Sequence, residues 1–373
     1  MRSLVALKIL IHDRTTTAGS IIGVIAIVFL VGQQLSVLFG LFNYMSVLVD
    51  HSSADVWVCT KNTSTVNSAG LLPMSYLDRI SALPFISWAE PILFGSGSFK
   101  TKNGKNEGVQ VVGVKNLRQA IAPWKNSQGS AASLLEYDGV TVDRTDLQKY
   151  GSPKMNEICE INNTKVRITG ITDGAKGFAG RLIFTNIVKA REILKTPPGR
   201  YRALLVKLKN PDLIEKGIAA ISKILPSAQV MSASELSSKT RFYYIVNTGM
   251  GGSFGFSTLI GALVGVIIIT LTMYTAVLQR QKDFAVLRAL GARKVDIFVI
   301  VMMQSMIIGA IGIFIGFFLL ALFLNATYGS PLPSYMPRWV SPILAFSTFL
   351  MCVFGSSIAM LKAIRIEPAS VFR

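Results

Sequence analysis

Histidine and cysteine are nearly missing from this chain of 373 residues, with 2 of the first and 3 of the second. Two histidines are too few for a histidine-based metal site, and Cys59, Cys159 and Cys352 show no CxxC or zinc-like spacing, so no metal is expected. No Walker A, HExxH, GxSxG or GxGxxG signature stands in a fitting context, so the chain itself is expected to bind no cofactor and to be no enzyme. Acidic residues are scarce too, 20 against 38 Lys and Arg, which leaves a formal net charge of +18. Such a surplus can point to nucleic acid. Here no recognition motif accompanies it and much of it flanks apolar runs, where it sets membrane topology, so no nucleic-acid partner is expected.

Apolar length is what the chain does have. Its mean hydropathy of +0.48 and its 51% hydrophobic residues exceed those of an ordinary soluble domain. An uncharged run from Thr15 to Val49 has its apolar centre at Ile21 to Phe42. At ~1.5 Å per residue about 20 residues cross the hydrocarbon, so a helix here spans and projects beyond it. A signal peptide is the competing reading. The apolar region is too long for one, and no small-residue cleavage site ends it cleanly. Three further apolar runs follow, Phe256 to Leu278, Ile297 to Leu324 and Pro342 to Met360. None carries a charged residue that would mark an ion or proton pathway.

The fold class expected is an α+β membrane protein, with four transmembrane helices and a large extracytoplasmic mixed α/β domain between the first and second. Residues 1–14 read as a cytoplasmic amphipathic helix and 15–49 as the first span and its stalk. The α/β domain covers 50–231, a stalk helix 232–253 and the second span 254–278. A cytoplasmic helix at 279–296 precedes the third span at 297–324. An external loop (325–340), the fourth span (341–360) and a cytoplasmic tail (361–373) complete the chain. The N-terminus, the 279–296 segment and the tail are short and basic, which places all three in the cytoplasm by the positive-inside rule.

Within the domain, alternating apolar runs broken by Gly, Asn and Asp predict strands at Asp55–Cys59, Glu107–Val114, Asp138–Val142, Thr164–Ile171, Arg181–Phe184, Arg202–Leu208 and Gln229–Met231. Helices are expected at Tyr76–Leu83, Ile187–Leu194 and Asp212–Leu225. Ser232 and Glu235 have the spacing of a capping box that would start the stalk helix. That helix brings Phe242 and Tyr243 to the interfacial level. Gly249, Gly252 and Gly255 then form a flexible or closely packed approach to the second span, with no GK[ST] to make them a phosphate loop. Cys59 and Cys159 share the external, oxidising side, which permits a disulfide between them; two unpaired thiols is the other reading.

The stretch Arg280–Ala292 is a short basic helix with Phe284, Leu287 and Leu290 at helical spacing and Gly291 as its stop. It is too short and too charged to span, so it lies on the membrane surface or docks on a partner. Arg280, Asp283, Phe284, Ala285, Leu287, Arg288, Ala289, Gly291 and Ala292 together resemble the coupling-helix pattern of the FtsX/MacB-type (type VII) ABC transporter permeases, with Asp283 where that family usually has Glu. The ending Ala363-Ile-Arg365-Ile-Glu367-Pro368 is similar to the family's tail. Within the family, Gly32-Gln33, Ala54-Asp55-Val56-Trp57 and Asn247-Thr248-Gly249 look most like DevC-type permeases, which lack a fused ATPase.

The resemblance implies a permease subunit that docks a separate ABC ATPase through 280–292, with ATP and Mg held by that partner and not by this chain. It implies a second permease copy, a homodimer, in the bacterial inner (plasma) membrane. A HlyD-type periplasmic adaptor, an outer-membrane channel and contact with membrane lipid are implied as well. The expected work is mechanotransmission to the outer domain, exporting lipid, glycolipid or other amphiphilic cargo. The alternatives are an FtsX-like regulator of a cell-wall hydrolase, or a lipoprotein, peptide or haem efflux permease.

Overall fold

The computed structural model describes residues 10–12, 14–115, 120–121, 123–124, 126–129, 136–178, 180–279, 286, 291–327 and 334–363. It divides into two compact units, Met1–Gly40 with Gly252–Arg373 and Leu41–Gly251. From the N-terminus the elements are α1 (Arg14–Met45), α2 (Val47–Asp50), β1 (Val56–Thr60), β2 (Leu72–Pro73), α3 (Ser75–Ser81), β3 (Ile86–Lys100) and β4 (Asn106–Val114). Next come β5 (Asn126–Gln128), β6 (Gly139–Asp143), β7 (Ile158–Ile161), β8 (Thr164–Thr172), β9 (Lys176–Gly177), β10 (Gly180–Asn186) and α4 (Ile187–Ile193). The chain continues through β11 (Arg200–Tyr201), β12 (Ala203–Leu208), α5 (Ile214–Ile224), β13 (Ala228–Ser232) and α6 (Ala233–Asn247). It then runs through α7 (Met250–Gln279), α8 (Lys294–Thr327) and α9 (Val340–Ala363).

Among the described residues four helical stretches are long and apolar enough to cross a membrane: Arg14–Met45, Gly251–Thr272, Val295–Thr327 and Val340–Ile358. The mixed α/β domain lies between the first and second, as the charge-free runs dictate. Glycine lets the helices of this unit approach closely, since apolar burial gives little drive for association in lipid. A Cβ on Gly312 would lie 2.6 Å from the Val24 Cβ, and one on Gly316 2.7 Å from that of Val28. Edge-on aromatic pairs, Phe29 with Phe323 and Phe39 with Trp339, have centroids 5.9 and 5.3 Å apart.

The domain is built on one 11-stranded sheet in the order β13-β1-β12-β3-β4-β10-β6-β8-β5, with β7 beside β3 and β8, and β9 beside β10. Its longest strand, β3, is not among the strands read from the sequence. Ile86 to Ile92 pairs with β12, while Phe99 and Lys100 reach β7, so one strand serves three hydrophobic clusters. One includes Trp57, Phe94, Phe184 and Leu236; a second includes Phe99, Val111, Val140, Ile168 and Ile193; a third includes Ile86, Leu204 and Ile221.

The disulfide reading is corrected here: Cys59 and Cys159 are both free. The register explains why. Val58 is opposite Leu204, and Leu204 opposite Pro91, which puts Cys59 level with Ile92. Glu160 is opposite Lys100, which puts Cys159 level with Thr101. About nine residues of strand at ~3.3 Å each separate the two levels, far beyond the roughly 7 Å limit for a bridged Cα pair. Burial pushes the Cys59 thiol up to about 12 and the Cys159 thiol up to about 11. The folded protein is expected to show no intramolecular Cys59–Cys159 link by non-reducing mass spectrometry and slow alkylation of Cys59 at pH 8. A linked peptide would contradict the register.

Candidate functional site

Arg280, Asp283, Phe284, Leu287, Arg288, Ala289 and Leu290 lie outside the described residues. Of the same segment, Val286 is helical and 50% exposed. Gly291 has φ +95 with open space around the position of a Cβ, a left-handed conformation that glycine adopts without strain and that ends helices. Three residues later α8 begins. The Arg293 backbone N–H donates to Asp296 Oδ2 at 3.0 Å, so the helix carries its own carboxylate beside its first turn, where the macrodipole favours it.

Ser232 caps α6, its Oγ accepting from the Glu235 N–H at 3.1 Å, which is one half of the reciprocal capping box. Phe242 on this helix is 66% exposed and Tyr243 half-buried. The glycines divide in role. Gly249, with φ +72, breaks the chain between α6 and α7. Gly252 and Gly255 are inside α7, and an added Cβ at either would meet nothing within 4 Å. The stalk helix expected to reach residue 253 thus stops at Asn247.

Sequence reading missed how the domain's two ends are joined. α2 packs along α6, and Arg241 of α6 closes the pair. Its Nη2 donates to Asp50 Oδ2 at 2.6 Å and its Nε to Ser46 Oγ at 2.7 Å. Ser46 Oγ in turn donates to Asp50 Oδ2 at 2.7 Å, and Ser237 Oγ to Asp50 Oδ1 at 2.6 Å. Charge-assisted bonds of this length are the strong kind. A signal for this clamp exists in the sequence. Asp50 is the first charge after the uncharged run Thr15–Val49, and Arg241 the last before the uncharged run 242–279. The two chain ends of the domain therefore carry opposite charges at matching positions.

A third element joins them. Phe178, between β9 and β10, donates its backbone N–H to the Tyr44 carbonyl at 3.0 Å. Its ring meets that of Tyr244 with centroids 4.5 Å apart. Among the described residues no cluster of His, Cys, Asp or Glu has the arrangement of a metal site. What the described residues bring together here is a pair of stalk segments, α2 and α6, clamped by the Asp50–Arg241 ion pair.

Two family models match the chain, the MacB-like periplasmic core domain over residues 15–224 and the FtsX-like permease C-terminal over residues 255–369. An uncharacterized ABC transporter permease of Methanocaldococcus jannaschii is 28% identical over 172 residues, covering 44% of this chain and 42% of that protein. An uncharacterized ABC transporter permease protein of Mycobacterium tuberculosis is 29% identical over 231 residues, covering 57% of this chain and 25% of that protein. The chain thus spans less than half the length of these curated relatives. Among solved structures, the periplasmic region of MacB from Actinobacillus actinomycetemcomitans aligns at 12% identity with a TM-score of 0.37, over 50% of this chain and 92% of that one. The extracellular domain of the ABC-type transporter YknZ from Gram-positive bacteria aligns at 9% identity with a TM-score of 0.37, over 48% of this chain and 98% of that one. With a core-domain match over more than half its residues and a permease match over its last spans, this multi-pass membrane protein belongs to the FtsX/MacB-type ABC transporter permeases.

Proposed function

We propose that the chain is the force-transmitting subunit of an ATP-driven exporter whose ATPase is a separate cytoplasmic protein. Closure of the ATPase on ATP is received at Arg280–Ala292, passed into α7 and α8, and delivered to the outer domain through α6. The observation that carries this reading is the Asp50–Arg241 clamp, because it ties the domain's two stalk segments together where movement of one must reach the other. Both termini are cytoplasmic in this reading, the membrane is a bacterial inner membrane, and two copies of the chain work with two ATPase subunits. The DevC-like segments make an amphiphilic, lipid or glycolipid cargo and a HlyD-type adaptor the partners we favour.

The test is retention of the ATPase when the chain is purified from its own membrane. Leu287→Glu puts a charge in the apolar anchor, and Gly291→Pro imposes a negative φ where the chain has +95. Each is expected to cut the retained ATPase by about tenfold or more, the size of losing a hot-spot contact. Membrane insertion should be unchanged. Retention at wild-type levels with both variants would refute docking at this helix.

A further inference from the structure

Phe178 occupies a position that ordinary core packing does not explain. The residue is half-buried on the turn between β9 and β10, yet it meets both segments through which the domain is held. Tyr44 is in the last turn of α1, and the Phe178 N–H donates to its carbonyl at 3.0 Å. The Phe178 ring packs on Tyr244 of α6 at 4.5 Å between centroids, and α2 lies against β9.

Behind the tip the hairpin is held by charge. Lys176 and Gly177 pair with Arg181 and Gly180. The Ala175 N–H donates to Asp143 Oδ2 at 2.7 Å, and Thr172 Oγ1 to the same oxygen at 3.3 Å. Asp146, 1% exposed, faces Arg181 Nε at 2.8 Å, Lys149 Nζ at 3.6 Å and Lys176 Nζ at 3.9 Å. Burial pushes Lys176 below the usual lysine range, against the pull of Asp146 and Asp143. Buried charges of this kind add little net stability and instead favour one arrangement, since any shift leaves a carboxylate uncompensated. From this base β10 runs between β4 and β6, in register from Arg181↔Val109 to Asn186↔Val114.

We infer that the β9–β10 hairpin is a strut, with Phe178 wedged between the end of α1 and α6 so that relative movement of these two segments is delivered to the far half of the sheet. The residues that set this coupling are Phe178 and Tyr244 at the contact and Asp146 at the anchor. The strut deepens the force-transmission reading and rests on it: the stalk segments must move for a strut to matter.

Hydrogen exchange followed by mass spectrometry on the full chain with its co-purified ATPase, with and without ATP plus orthovanadate, tests the strut. In the wild type, exchange is expected to change on trapping both in 233–247 and in 139–143 and 164–172. Phe178→Ala keeps the change in 233–247 and loses it in β6 and β8, while its exchange without nucleotide matches the wild type away from the tip. Tyr244→Ala removes the same contact from the other side and gives the same loss, and the double variant adds nothing further, as expected of two residues in one interaction. A wild-type response in β6 and β8 in both single variants overturns the strut and leaves force transmission standing. No response in 233–247 in the wild type overturns force transmission itself, and the strut with it.

Discussion

Gly316→Leu is expected to remove most of the folded protein from the membrane. The Cβ atoms it and Gly312 would carry fall 2.7 and 2.6 Å from the Cβ atoms of Val28 and Val24 on α1. These are contacts with atoms one bond from the backbone, so rotamer changes cannot relieve them and the helices themselves must separate. Inserting extra carbons in a packed core costs about 1–3 kcal/mol, and a leucine here adds three more carbons beyond the Cβ. The four-residue spacing puts both glycines on one face, so the pair sets the approach of α8 to α1. The measurement is recovery as a single species by size-exclusion chromatography after mild detergent extraction. Gly252→Ala is the control, because its Cβ meets nothing within 4 Å. Wild-type recovery and melting temperature for Gly316→Leu would refute the close approach.

Arg241→Glu carries the second large effect. The substitution removes two short bonds, to Asp50 and Ser46, and sets a carboxylate against Asp50. A hydrogen bond to a charged group contributes about 1.5–3 kcal/mol. Arg241 and Asp50 are 38% and 28% exposed at their side chains, so solvent screening brings the total towards ~2 kcal/mol. For a domain of this size that corresponds to a melting shift of roughly 4–8 °C. Coupling is expected to suffer more than stability: ATPase binding is retained, while nucleotide-dependent change in the outer domain is lost. The charge swap Asp50→Arg with Arg241→Asp should restore most of both. An Arg241→Glu protein that melts and responds like the wild type would show that the clamp bears no load.

What the sequence made legible followed from periodicity and from gaps in charge. Four apolar runs, the domain between the first two and the capped start of α6 at Ser232 all depend on residues adjacent in the chain. The strand β3 does not announce itself, because Pro91, Gly95 and Gly97 with Ser96 and Ser98 read as loop. Those small residues fit where neighbours come close: a Cβ on Gly95 would lie 3.1 Å from Leu194, and one on Gly97 3.2 Å from Ile161, Val109 and Val111. Tertiary packing, which decides strand formation more than intrinsic preference does, overrode the local pattern. The disulfide reading failed for a related reason: compartment says whether a bond is permitted, and only register says whether two thiols meet. Phe178 is hidden more deeply, since nothing local distinguishes a phenylalanine at a hairpin turn from any other. The Asp50–Arg241 pair is intermediate, being visible once the two uncharged runs are read as one membrane boundary crossed twice.

Gly291 and the start of α8 have a consequence for compliance. Between Leu290 and the first residue of α8 stand only Gly291, Ala292 and Arg293, and Asp296 closes the first turn on the Arg293 N–H. A link of about three residues spans at most ~10 Å and stores little slack, whereas a long glycine-rich tether would absorb a small displacement as changed entropy. Lengthening this link by a few Gly-Ser residues would act as a compliant spring in series, softening the transfer of a displacement without altering either surface. In the force-transmission path proposed above, this link leaves little give at the point where force would enter.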